Sequence, residues 1–252
     1  NLSSKMKFVF KKILQYYLKY IARLALFIYR PTVIAVAGSV NKTFMKEGIV
    51  EVLKNKRLSI RSNSKSFNTE IGLPLSILGL ASGYNSYKNW LPVIARAFLA
   101  IFKKLPRFLV LELGVSMPGD MKYLLSIIKP KISIITDITQ RYLEAFGDMG
   151  ELASEYELLA RKTTELTVLN GDNPKIKKIA SLTKSKVEFI GFSESSSWQA
   201  SETIKMEDGQ TIKVKHKNKI KEYHIKKFGS HHVYSLLAGL AIGDYVEKKK
   251  KI

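Results

Sequence analysis

Residues 33–53, VIAVAGSVNKTFMKEGIVEVL, change hydrophobic period once, and that change constrains the chain more than any other feature. A continuous apolar, β-branched run is followed by Gly-Ser-Val-Asn-Lys-Thr and then by apolar residues at helical spacing, which predicts a strand, a tight turn and a helix. In that order, the N–H groups of the turn and of the first helical residues converge at the positive end of the helix dipole, where an anion is stabilised. The general phosphate-loop spacing, glycine, four residues, then Gly-Lys-Ser/Thr, is not met, because Val36 and Asn41 occupy both glycine positions. Asparagine is the least costly replacement where a left-handed backbone is required, although its side chain can crowd a phosphate. The expected nucleotide-binding set is therefore Gly38, Ser39, Val40, Asn41, Lys42 and Thr43. Lys42 supplies a point charge for the β- and γ-phosphates, and the Thr43 hydroxyl is a ligand for magnesium.

Beyond this unit the chain alternates. Strands are expected at 58–62, 108–113, 132–138, 167–169 and 187–192, beside the one at 33–37. Helices are expected at 43–54, 90–104, 121–128, 150–163, 174–181 and 232–248. Apolar strands separated by helices imply an α/β domain of the phosphate-loop type, with a mostly parallel sheet flanked by helices. Between 193 and 228 polar and apolar residues alternate around Asp208-Gly209, a hairpin signal, so a small antiparallel segment is expected there.

The first thirty residues form a unit of their own, with the nucleotide domain assigned to 31–252. Residues 8–29 are a long apolar helix candidate in which Lys11, Gln15, Lys19 and Arg23 recur every fourth position, and Pro31 ends it. Polar residues inside the window argue against a spanning helix. Two readings stay open: a basic amphipathic helix lying on an anionic membrane surface, or one that packs its apolar side on the domain.

Of the 252 residues, 42 are Lys or Arg and 21 are Asp or Glu, a formal net charge of +21. The excess is mostly lysine spread along the chain, without arginines and aromatics interleaved on one element, which argues against nucleic acid as the partner. The absence of cysteine excludes a disulfide framework and thiolate metal sites. With no secretory leader pattern, the expected location is cytoplasmic, peripheral on the inner face of the membrane if the first helix binds there.

Six ordered blocks, AGSVNKTFMKEGIVEVL, SFNTEIGLPLSIL, LVLELGVSMPGDMKYLLSIIKPKISIITDI, YLEAFGDMGELASEYELL, VLNGD and GSHHVYSLLAGLAIG, resemble the central domain of the Mur ligase family, most closely its D-alanyl-D-alanine-adding branch. The resemblance implies ATP and Mg2+ as cofactors and a ligase of peptidoglycan precursor synthesis that activates a carboxylate as an acyl phosphate for attack by an amine. It assigns Lys42 to the phosphates and catalysis, Thr43 and Glu112 to magnesium, Asn68 to the substrate side, and Asn170, Asp172 and His231 to the nucleotide.

The departures from the family pattern are also specific. Tyr142 and Tyr156 stand where the family places a histidine and a lysine that serve a second magnesium, and a neutral phenol is a poor ligand for a hard cation. Asp137, His232 and Ser235 replace asparagines, and Thr69 replaces another. Family members also carry substrate domains on both sides of this one, so either a separate chain supplies them as a partner, or the sequence is a fragment, or the protein no longer ligates. A degenerate relative that binds nucleotide or a partner without turnover is the alternative.

Overall fold

The computed structural model describes residues 2–64, 67–84 and 87–250; the side chains of 2–4, 6, 87, 141–143 and 250 are left out. Strand β1 (Thr32–Ala37) is apolar on both faces and becomes the centre of the sheet, buried from Val33 to Ala37. It pairs in parallel with β3 (Phe108–Glu112) on one side and β4 (Ile132–Ile135) on the other. Strand β2 (Ile60–Ser62) joins β3, and β5 (Leu166–Asn170) and β6 (Lys186–Gly191) extend the other side. Among the described residues the order is β2-β3-β1-β4-β5-β6-β7-β8-β9 in one sheet.

From β1 the chain runs to β2 and back to β3 on one side of the sheet, then crosses from β3 to β4 on the other side of β1, so the carboxyl end of β1 is the topological switch point, where open α/β sheets bind ligands. Two apolar layers cover the sheet. One contains α1 (Leu2–Tyr29), α3 (Gly72–Leu78), α4 (Tyr87–Ala100), α5 (Asp120–Leu125), α6 (Met149–Lys162) and α7 (Pro174–Lys177). The other contains α2 (Lys42–Asn55) and α8 (Ser230–Lys250). Helices α2 and α8 cross almost backbone to backbone: a Cβ on Gly48 would meet Ser235 O at 2.7 Å, and one on Gly239 would meet Gly48 O at 2.9 Å.

The antiparallel segment is present but is no detached flap. Strands β7 (Trp198–Met206), β8 (Gly209–His216) and β9 (Lys219–Ile225) continue the main sheet, with β7 pairing in parallel with β6 at Ile190 and Gly191. Its first hairpin turns at Glu207-Asp208, closed by the Met206–Gly209 pair. The second turns at Lys217-Asn218, both with positive φ (48° and 60°), which matches the right-handed twist of the flanking strands.

Several expected boundaries move. The strand expected over 132–138 stops at Ile135, because the chain from Thr136 turns back over the loop between β1 and α2, and Thr136 donates to Val40 O at 2.6 Å. The strand expected from 58 begins at Ile60, and the helix expected over 174–181 ends at Lys177 and continues as a 3-10 turn. Helix α3 had no sequence signal, since it is seven residues long with a glycine and a proline. Every one of its residues is buried, and packing sustains it.

The first helix packs on the domain, as the second of its two readings required. Leu14, Leu18, Ala22 and Ala25 are buried against the core, and the Tyr17 and Tyr29 hydroxyls donate to Ile94 O and Ile101 O of the α4 region at 2.9 and 2.8 Å. The four-residue polar stripe is not uniformly solvated: Gln15 is buried, and Lys19 lies over the Tyr123 ring at 4.7 Å with its pKa lowered by burial and by Arg23.

Candidate phosphate and metal site

The turn after β1 is shaped by two residues. Gly38 has φ +141°, and a Cβ there would lie 2.0 Å from Thr136 Oγ1 and 3.0 Å from Asp137 N, so no side chain fits. Asn41 has φ 62° and ψ 7°, the left-handed conformation for which asparagine is suited, and its side chain makes no cap hydrogen bond with α2. Asparagine thus substitutes for glycine by its backbone.

Lys42 opens α2 with its ammonium folded onto the loop, donating to Gly38 O at 2.7 Å and Ser39 O at 3.4 Å. Ser39 N donates to Asp137 O at 2.7 Å, and Thr139 N donates to Ser39 Oγ at 3.1 Å, which ties the loop to the chain leaving β4. The side chain of Asp137 is engaged away from the loop, accepting from Ile138 N and the Asn173 amide.

Glu112 ends β3, next to β1. Its backbone is clamped by Asn63, which accepts from Glu112 N at 2.8 Å and donates to Glu112 O at 2.9 Å. Its carboxylate then accepts from the Thr43 hydroxyl at 3.0 Å and from Asn68 Nδ2 at 3.0 Å, with the Lys46 ammonium 3.9 Å away. Lys46, one turn beyond Lys42, is buried and donates to Asn63 O at 2.7 Å. A cleft of about 490 Å³ is lined by Ser39 to Phe44, Asn68, Thr69, Glu112 and Gly114 to Ser116. Six of the expected residues, Ser39 to Thr43 and Glu112, together with Asn68, therefore share one concavity, and Gly38 holds its floor.

Lys46, Asn63 and Gly114 were missed by sequence reasoning. Lys46 follows Lys42 at a helical spacing of four and was legible as a second cation on the same face. Asn63 and Gly114 act only because β2 lies beside β3: a Cβ on Gly114 would press on the Asn68 side chain at 2.9 Å.

Asn170 and Asp172 lie two strands away, at the end of β5, and do not line this cleft. Asn170 Oδ1 accepts from Asp172 N at 3.0 Å. The Asp172 carboxylate accepts from Phe192 N, Ser193 N and the Tyr234 hydroxyl, each at 2.7 Å, and so ties β5, β6 and α8 together. Burial, then Asp172, pushes the Tyr234 hydroxyl above its ordinary range. His231 sits in the first turn of α8 with its ring 4.5 Å from Phe44, which lines the cleft, and 4.2 Å from His232. Burial, then the neighbouring His231 and Lys227, lowers the pKa of His232.

For a first magnesium the donor chemistry fits. Thr43 and Glu112 present two hard oxygen ligands 3.0 Å apart beside the phosphate loop, and magnesium takes few protein ligands and keeps waters and phosphate oxygens. For a second the fit is poor. Tyr156 is fully buried in the core on α6 with Leu152 and Leu159, and among the described residues no three His, Cys, Asp or Glu side chains gather. The Tyr142 side chain lies outside the described residues.

The fold and this cleft define an α/β domain with a strand–turn–helix loop at the switch point and a carboxylate at the neighbouring strand end. Residues 36–243 match the model of the Mur ligase middle domain, and the chain belongs to that family. A UDP-N-acetylmuramoyl-tripeptide–D-alanyl-D-alanine ligase from Borreliella burgdorferi is 34% identical over 140 residues, covering 56% of this chain and 25% of the relative. The ligase of the same name from Rickettsia prowazekii is 26% identical over 171 residues, covering 66% and 33%. The MurF ligase of Thermotoga maritima, solved in complex with ADP, superposes with a TM-score of 0.75 at 24% identity over 91% of this chain and 49% of that one. The chain thus spans about a quarter to a third of these relatives and about half of the solved ligase.

Proposed function

We propose that this chain is the ATP-binding module of an amide ligase of peptidoglycan precursor synthesis. The observation that carries the reading is the meeting of Thr43, Glu112 and the Lys42 loop in one cleft at the switch point. In this reading the N–H groups of 38–43 receive the phosphates, and the Lys42 ammonium exchanges loop carbonyls for β- and γ-phosphate oxygens. Thr43 and Glu112 would hold magnesium, which would supply charge neutralisation on the transferring phosphoryl group. A substrate carboxylate oxygen attacks the γ-phosphorus, the bond to the bridging oxygen breaks and ADP leaves. An amine nitrogen then attacks the acyl phosphate carbon, a proton is lost from nitrogen, and inorganic phosphate departs as the amide forms.

Asn68, held against Glu112, faces the substrate side of the cleft. His231 extends the cleft's wall through Phe44, on the nucleotide side. Asn170 and Asp172 support that side by fixing the β5 and β6 loops and α8. Residues 31–252 form the nucleotide domain and 1–30 an appended helix. The substrate domains come from a further domain or a separate chain.

The second reading, a relative that binds nucleotide without turnover, is favoured by one observation. Tyr156 is committed to the apolar core, and α6 presents no ligand from that position. The deciding experiment is calorimetric titration with ATP, with and without magnesium, of this chain and of Lys42→Ala. Magnesium-dependent binding lost in the variant supports the nucleotide site; no binding to the folded, unmodified chain overturns it. ADP release with a candidate carboxylate and amine then separates ligase from non-catalytic relative.

A further inference from the structure

Helix α1 carries two apolar faces, and the fold uses one. Leu14, Leu18, Ala22 and Ala25 are buried, whereas Ile13, Tyr16, Tyr20, Leu24 and Phe27, spaced three or four apart on the opposite side, are 45–69% exposed. The neighbouring helix is exposed in the same way. Leu91 and Phe98 of α4, and Phe102 just past its end, are 69%, 53% and 73% exposed, and α1 touches α4 at Ile94 through Tyr17. Exposed large apolar side chains on two packed helices point to an interaction site.

The charge on the two helices themselves is one-sided; the acid beside them is Glu70, paired with Lys11 at 3.2 Å. Residues 1–46 and 71–111, which hold both helices, contain fourteen Lys or Arg and none of the chain's 21 Asp and Glu. Basic side chains lie beside the exposed aromatics of α1: Lys12 is 5.8 Å from the Phe8 ring, Arg23 5.9 Å from Tyr20 and Arg30 5.7 Å from Phe27. At the carboxyl ends of both helices a cavity of about 780 Å³ is lined by Arg30, Arg61, Lys104 and Arg107 without a carboxylate. Among the described residues none of these four makes an ion pair.

We propose that the α1/α4 face docks on an anionic lipid surface, with exposed Phe, Tyr and Leu entering the headgroup boundary and the Arg30–Arg61–Lys104–Arg107 cavity receiving a lipid phosphate. A protein partner would bring its own mixture of charges, whereas an apolar face on two helices that carry cations and no acid complements a sheet of anionic headgroups. Aromatic rings with a polar tip suit that boundary, and lysine and arginine stems reach past it to phosphate. No helix among the described residues is long and apolar enough to cross a membrane, so the helix lies on the surface.

The test is co-sedimentation of this chain with vesicles of phosphatidylcholine alone and of phosphatidylcholine with 30% phosphatidylglycerol. The expected result is binding at least tenfold stronger to the anionic vesicles. It weakens in 0.5 M salt, falls at least tenfold in Phe27→Asp/Phe102→Asp, and falls separately in Arg30→Glu/Lys104→Glu. Circular dichroism confirms that each variant folds. ATP titration of the same variants keeps this result distinct from the nucleotide reading. No preference for anionic vesicles, or binding indifferent to both double variants, overturns the proposal. So does a concentration-dependent dimer, lost in the Phe double variant, in a chain that ignores vesicles.

Discussion

The Thr43 hydroxyl donates to Glu112 Oε2 across 3.0 Å, joining the first turn of α2 to the end of β3. The same carboxylate faces the buried Lys46 ammonium at 3.9 Å. Glu112→Ala therefore removes the carboxylate proposed to hold magnesium and leaves a buried cation without its countercharge. The expected outcome is loss of the magnesium enhancement of ATP binding, tenfold or more, together with about 3 kcal/mol of stability. Thr43→Val keeps the volume but not the oxygen; it costs about 1 kcal/mol and removes much of the same enhancement. Calorimetry with and without magnesium and urea unfolding read both quantities. An unchanged magnesium effect in Glu112→Ala would refute the metal assignment.

Asn41 holds φ 62° without using its side chain as a cap. Asn41→Gly is expected to leave stability within about 0.5 kcal/mol and to bind ATP as tightly or more tightly, since a side chain that can crowd the loop is gone. Asn41→Ala must carry a Cβ in left-handed geometry and should cost about 1 kcal/mol. If alanine proves as stable as glycine in urea unfolding, the position is under no backbone constraint.

Much of this was legible in the sequence because the signals were local. The β1 strand, the turn and α2 lie within residues 32–55, so period, turn chemistry and helix start could be read in one window. Glu112 was legible as a strand-end acid. Asn63 was not, because its contacts with Glu112 exist only once β2 lies beside β3, 49 residues apart in the chain. The three acceptor bonds of Asp172 were not legible either, because they form only once β5, β6 and α8 pack together. Gln15 looked like a solvated helix position and is buried, since periodicity cannot tell which flank of a helix meets the core.

Gly38 is the tightest point of the loop between β1 and α2. Besides its φ of +141°, a methyl there would overlap the Thr136 hydroxyl and press on the Asp137 backbone. Gly38→Ala should lower stability by about 3 kcal/mol or more and abolish ATP binding, because the loop must open before the side chain fits. Thr136→Ala on the same background relieves only one of the contacts and should restore stability in part. A Gly38→Ala chain within about 1 kcal/mol of the parent would show that the loop is looser than described.

Glu165, just before β5, gathers Lys131 at 3.4 Å and Lys249 near the end of α8. Burial raises its pKa, but the two lysines outweigh it, and the net shift is below the ordinary carboxylate value of 4.5. The folded state therefore holds this proton less tightly than the unfolded chain does. The stabilisation is fully present above the ordinary carboxylate range and is lost as pH falls through the lowered folded pKa. Since the group is largely screened by solvent, the effect should not exceed about 1 kcal/mol. In urea titrations between pH 6 and pH 3, the parent should lose stability relative to Glu165→Gln, with a difference that shrinks towards acid and in 0.5 M salt. A difference that stays constant over that range would mean that Glu165 acts through packing and not through charge.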